Sequence, residues 1–132
     1  MENCGIGVYV LSLFRIYLIG DFRLEEPGGK SIRIAGKKTR AMLAFLSVGM
    51  NMSRTKSWII DHLWSDRGPD QAAASYRQCL HEMRRALGPH RDILVSSYEG
   101  LGLDTRKVWV DCFDQAYLET LIDNVDELPE FI

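Results

Sequence analysis

The stretch from Pro69 to Pro89 constrains the fold of this chain more than any other. Pro69 suits the first turn of a helix, where its missing N–H leaves nothing unpaired, and Asp70 beside it favours the positive end of the helix dipole. Gly88-Pro89 is a stop signal, so a helix is expected over 69–87. Within it Tyr76, Leu80, Met83 and Leu87 recur at spacings of 4, 3 and 4, which places them on one apolar stripe to be buried against a core. The opposite face carries Gln71, Ala74, Gln78, His81 and Arg85, with Arg77 and Arg84 on one flank. Such a face suits a DNA major groove. Glutamine bridges an adenine edge, arginine forks onto guanine, and alanine leaves room for a thymine methyl. Flanking arginines reach phosphates, which hold register without reading sequence. On its own the same face also fits an ordinary solvated helix, so the neighbouring elements must decide.

Before this helix, Phe14 to Leu24 reads as two short strands bent near Gly20-Asp21, rich in β-branched and aromatic residues. Pro27-Gly28-Gly29-Lys30 is a turn, and Ser31-Ile32-Arg33-Ile34 alternates as a third strand, completing a small antiparallel sheet. From Lys37 the period becomes helical through Met42, Leu43, Leu46 and Ser47, stopping at Gly49. Ser53 is the expected N-cap of a second helix carrying Trp58, Ile59, Ile60, Leu63 and Trp64. After the third helix, Ile93-Leu94-Val95 and Val108-Trp109-Val110 suggest a β-hairpin around a turn-rich Ser96–Gly102. A short amphipathic helix (Phe113, Tyr117, Leu118, Leu121, Ile122) and an acidic tail close the chain. The expected core joins Leu43, Leu46, Ile60, Leu63, Leu80, Met83 and Leu87 under the N-terminal sheet.

Charge is distributed unevenly. The formal net charge is −2, yet residues 30–91 hold twelve Lys/Arg against four Asp/Glu, and the flanks are acidic. A basic middle between acidic ends points to a polyanionic partner. The three cysteines (Cys4, Cys79, Cys112) form no CxxC pair, which argues for free thiols in a reducing cytoplasm. The apolar run Gly5–Phe14 follows Glu2 with no Lys or Arg, lacks a small-residue cleavage site, and is broken by Arg15 well short of the roughly 18 apolar residues of a membrane helix. It is expected to be an extra strand, a docking segment or an extended start. His62, His81 and His90 are too dispersed for a metal site, and Cys79 and His81 point about 200° apart on a helix. Ser96-Ser97 carries no nucleophile-elbow signature, and Gly100-Leu101-Gly102 is no phosphate-binding loop. No catalysis, metal or cofactor is expected.

The ordered stretches LIGDFRL (18–24), KKTRAMLAFL (37–46), SRTKSWIIDHLW (53–64), AAASYRQCLHEMRRALG (72–88) and VWVDCFDQAYL (108–118) resemble the winged-helix domain of OmpR/PhoB-type regulators. The resemblance is closer still to the N-terminal domain of the antibiotic-regulatory-protein (SARP) family of bacterial transcriptional activators. It covers roughly residues 14–122. It implies an α+β fold: a winged helix-turn-helix with an N-terminal antiparallel sheet, three helices, a C-terminal β-hairpin wing and one extra C-terminal helix. The implied boundaries are an extension over 1–13, a DNA-binding domain over 14–110, and the start of a helical, TPR-like activator domain over 111–132, truncated here.

By the same resemblance the third helix reads double-stranded DNA through Arg77, Gln78, His81, Arg84 and Arg85, while Ser53, Arg54 and Lys56 meet phosphates at the start of the second helix. The 65–70 loop would face RNA polymerase or a neighbouring protomer, and a homodimer would read repeated half-sites. The chain departs from the family at two places: Gly100-Leu101-Gly102-Leu103 stands where the wing carries a Gly-Tyr-Arg-Leu-like run, and Glu82 where the residue is basic or neutral. These departures and the acidic flanks favour a second expectation, a winged helix that binds a protein partner and no longer binds DNA.

Overall fold

The computed structural model describes residues 8–123. Its elements in chain order are α1 (Val8–Leu11), β1 (Phe14–Tyr17), β2 (Arg23–Glu25), α2 (Lys37–Ser47), β3 (Ser53–Thr55), α3 (Lys56–Leu63), α4 (Pro69–Leu87), β4 (Leu94–Ser96), β5 (Gly100–Leu103), β6 (Val108–Val110) and α5 (Gln115–Asp123). They form two compact units, one from the chain up to Ile32 together with Lys107 onward, the other from Arg33 to Arg106. Cys4 and the acidic tail beyond α5 lie outside the described residues.

The first unit is a three-stranded sheet ordered β2-β1-β6. As expected, β1 and β2 pair antiparallel, with Ile16 opposite Leu24. The stretch 31–34 is not a third strand. It contributes a single bridge, Ser31 to Glu25, and a hydrogen bond from the Ile32 amide to the Leu24 carbonyl. Its place on the other side of β1 is taken by Val108–Val110, paired in parallel with Phe14–Ile16. Contrary to expectation, residues 108–110 therefore do not form a hairpin with 93–95, of which Leu94 and Val95 pair with β5 instead. Asp111, fully buried, secures the arrangement by accepting hydrogen bonds from the amides of Leu18 (2.9 Å) and Ile19 (3.1 Å). Tyr17, Trp109 and Tyr117 pack edge to face beside it, and the Trp109 indole donates to Asp114 at 2.6 Å.

Arg15, which breaks the apolar N-terminal run, is 2% exposed. Its guanidinium donates to the Leu11 and Leu13 carbonyls at 3.1 and 3.3 Å and to Glu25 at 3.1 Å. The cation thus satisfies carbonyls at the end of α1, where a helix leaves acceptors unpaired. The described part of the N-terminal run is thus the short helix α1 and not the strand that was one of the expectations for it.

In the second unit α2 packs against α3 and α4, and the buried side chains include Met42, Leu43, Leu46, Ile59, Leu63, Leu80, Met83 and Leu87. Ile60, expected in the core, is only half-buried, since Ile59 takes the inward position. Lys38 donates its ammonium to the Leu63 carbonyl, capping the C-terminal end of α3. The second sheet is ordered β3-β5-β4, antiparallel throughout. Its hairpin joins Leu94–Ser96 to Gly100–Leu103, a stretch whose glycines had read as turn. They are required by close approach. A Cβ on Gly100 would sit 2.2 Å from the Arg54 carbonyl oxygen, and one on Gly102 would sit 2.9 Å from Ser53 Cβ.

Candidate nucleic-acid interface

α4 runs over the span expected of it, from Pro69 in its first turn to Gly88, whose φ of +57° ends the helix. Ala72, Tyr76, Cys79, Leu80, Met83 and Leu87 are its buried residues. The opposite arc exposes Ala74, Arg77, Gln78, His81 and Arg85, and leaves Arg84 half-buried. Taking 100° per residue, Ala74, Arg85, His81 and Gln78 lie near the outward centre, and Arg77 and Arg84 lie on one flank. On that flank Lys56 Nζ stands 5.4 Å from the Tyr76 ring centroid, and Arg84 acts on the same phenol. Burial pushes the Tyr76 hydroxyl above its ordinary pKa, and the Arg84 charge pulls against that. Lys56 and Arg84 thus both stand beside Tyr76, and at 100° per residue Arg77 lies on the same flank of the helix as Arg84.

The other edge carries Glu82. Its carboxylate accepts from the Gln78 side-chain amide at 3.1 Å and from the Thr39 hydroxyl at 3.4 Å, so it is turned aside toward the start of α2. Gln78 is accordingly held by one of its amide hydrogens. Arg85 shares a shallow groove with Arg33, Thr39 and Glu82. Arg33 was read as part of a strand, and only its membership of the basic block could have signalled a place beside the helix.

The residues before α3 are arranged differently from expectation. Ser53 and Arg54 belong to β3, and Thr55 is the N-cap, its hydroxyl accepting from the Trp58 amide at 3.1 Å. Three residues of extended chain pair with β5 here, which moves the helix start to Lys56. Ser53 is exposed, with its hydroxyl donating to the Met50 carbonyl at 3.1 Å. Arg54 is half-buried and already engaged. Its Nε donates to the Phe45 carbonyl at 2.9 Å, and its guanidinium carbon lies 3.9 Å from the Trp58 ring centroid. Trp58 in turn stacks on His62, with centroids 3.7 Å apart. The hairpin β4–β5 has no Lys or Arg, and its tip presents Tyr98, 99% exposed.

No protein-family model matches the chain, and no curated protein matches it. Among solved structures it is similar to Mycobacterium tuberculosis EmbR, determined in complex with a low affinity phosphopeptide, with a TM-score of 0.60 and 24% identity. The likeness covers 72% of this chain and 26% of EmbR, so the chain spans about a quarter of that protein's length. The likeness is one of fold: the chain is an α+β winged helix. Among the described residues no helix is long and apolar enough to cross a membrane.

Proposed function

We propose that this chain is the sequence-reading, double-stranded-DNA-binding part of a bacterial transcriptional regulator, working in the cytoplasm without catalysis or cofactor. The observation that carries this reading is the exposed arc of α4, with Arg85, His81 and Gln78 around Ala74 at its outward centre and cations on its flank. A helix fits the major groove, where arginine forks onto guanine and an amide meets adenine. Arg77, Arg84 and Lys56 on the flank suit phosphates, which position the helix without selecting sequence. Arg54 acts indirectly, by holding Trp58 and the end of α2. The 65–70 loop is the proposed contact for RNA polymerase, and repeated half-sites would be read by a homodimer.

The test is selection of duplexes from a random library, followed by titration at several salt concentrations. Enrichment of one motif is expected, with log K falling linearly against log salt at a slope near −0.9 per phosphate contact. Glu82→Gln is expected to tighten binding to every duplex, since it removes a negative charge from the edge of the interface. No enrichment, with no duplex bound at low salt, would favour the second reading, a protein-interaction module. The observations that support that alternative are the hairpin without a cation and the Gln78 amide given over to Glu82.

A further inference from the structure

We propose that Glu82 is a positioning residue: it fixes which way the Gln78 side-chain amide faces and thereby sets the base that Gln78 selects. The inference rests on the DNA-binding reading and deepens it at one position of α4. Gln78 is exposed on the outward arc, and its Nε2 donates to Glu82 Oε2 at 3.1 Å. A carboxylate only accepts, so the opposite sense of the amide would set oxygen against oxygen. Gln78 Oε1 is therefore turned away from Glu82, and Nε2 keeps one further hydrogen.

Glu82 is itself anchored from the core. Thr39, 3% exposed, donates its hydroxyl to Glu82 Oε1 at 3.4 Å and lies 3.3 Å from Cys79 Sγ. A hydroxyl has one hydrogen, so with that hydrogen on Glu82 the thiol donates to the Thr39 oxygen. A Cβ at Gly36 would stand 3.8 Å from Glu82 Oε1. The carboxylate thus lies beside the positive end of α2, where the N-cap Gly36 has no side chain to cap with. Held in one sense, the Gln78 amide offers an acceptor and one donor, which match the N6 amino group and N7 of adenine. Guanine shows two acceptors on that edge and thymine one, and these suit an amide turned to present its NH2 group. Holding the amide therefore disfavours guanine and thymine.

The experiment selects duplexes from a random library with the full chain and its variants, with circular dichroism to verify folding. Sequencing gives the base preference position by position, a ratio that a general change in charge or stability does not move. In the wild type one position is expected to favour adenine, and Gln78→Ala should erase that preference. Glu82→Ala should lower the adenine-to-guanine ratio roughly tenfold at that position alone, the scale of one base-edge contact. Thr39→Val, which removes the anchor, should move the ratio the same way, and Thr39→Ser, which keeps a hydroxyl, should hold it near the wild-type value. An unchanged ratio in Glu82→Ala overturns the inference and leaves the DNA reading standing. So does a Gln78→Ala variant that alters no position. An unchanged ratio in Thr39→Val alone overturns the anchoring by Thr39. If the wild type enriches no sequence, both the inference and the DNA reading fail.

Discussion

Single residues here do work that their type does not advertise. Asp111 is a fully buried carboxylate whose two oxygens take up two backbone amides, so its removal leaves both donors without a partner. Asp111→Ala is expected to cost about 2–6 kcal/mol, at about 1–3 kcal/mol for each of the two unsatisfied amides. Asp111→Asn, which keeps one acceptor, should cost less. Urea denaturation of the two variants measures this, and an alanine variant as stable as the wild type would contradict the assignment. Arg15 and Arg54 looked in the sequence like a break in an apolar run and a phosphate contact. Both guanidiniums are instead bonded to backbone carbonyls. A sequence shows that a cation is present, but its partners depend on chain brought alongside from elsewhere.

Among the elements, α4 was legible from its own residues. Its stop signals are local, and its apolar period needs no partner to be recognised. The reading of its face is testable element-wide. Arg85→Ala should cost about 1–3 kcal/mol on the selected motif and little on random duplex, whereas Arg77→Ala or Arg84→Ala should weaken both alike and reduce the salt slope by about one unit. Equal losses on motif and random duplex for all three would mean that the helix grips without reading. β5 was not legible. Gly100 and Gly102 resemble turn residues until β3 is seen to approach so closely that a side chain has no room. Gly100→Ala, with its new methyl about to meet backbone, is expected to cost about 1–3 kcal/mol by overpacking, seen as a lower urea midpoint. A variant with an unchanged midpoint would contradict that close approach. Leu80→Ala should cost about 2–5 kcal/mol through the cavity it leaves.

At the scale of the molecule, buried ionisable groups set an alkaline limit on stability. Burial raises the pKa of the Cys79 thiol, with the Thr39 hydroxyl opposing, and burial likewise raises the Tyr76 phenol. Each group holds its proton more tightly in the folded protein than in the unfolded chain. Their contribution is therefore intact below the ordinary values of 9.0 and 10.0 and is lost as pH rises above them. The urea midpoint should accordingly fall between pH 8 and pH 10.5, and Cys79 should resist thiol reagents near neutral pH until the protein unfolds. A midpoint that rises over that interval would contradict the burial argument. The sequence by itself determined the α+β class, the order of helices, the extent of α4 and the basic block around it, because hydrophobic period, helix stops and charge are properties of neighbouring residues. Only the tertiary structure decided that Val108–Val110 joins β1 in parallel, that Ser53–Thr55 is a strand, and that Glu82 turns aside to Thr39 and Gln78. Each of these depends on which distant backbone or side chain comes within bonding reach, and nothing in the local pattern specifies that.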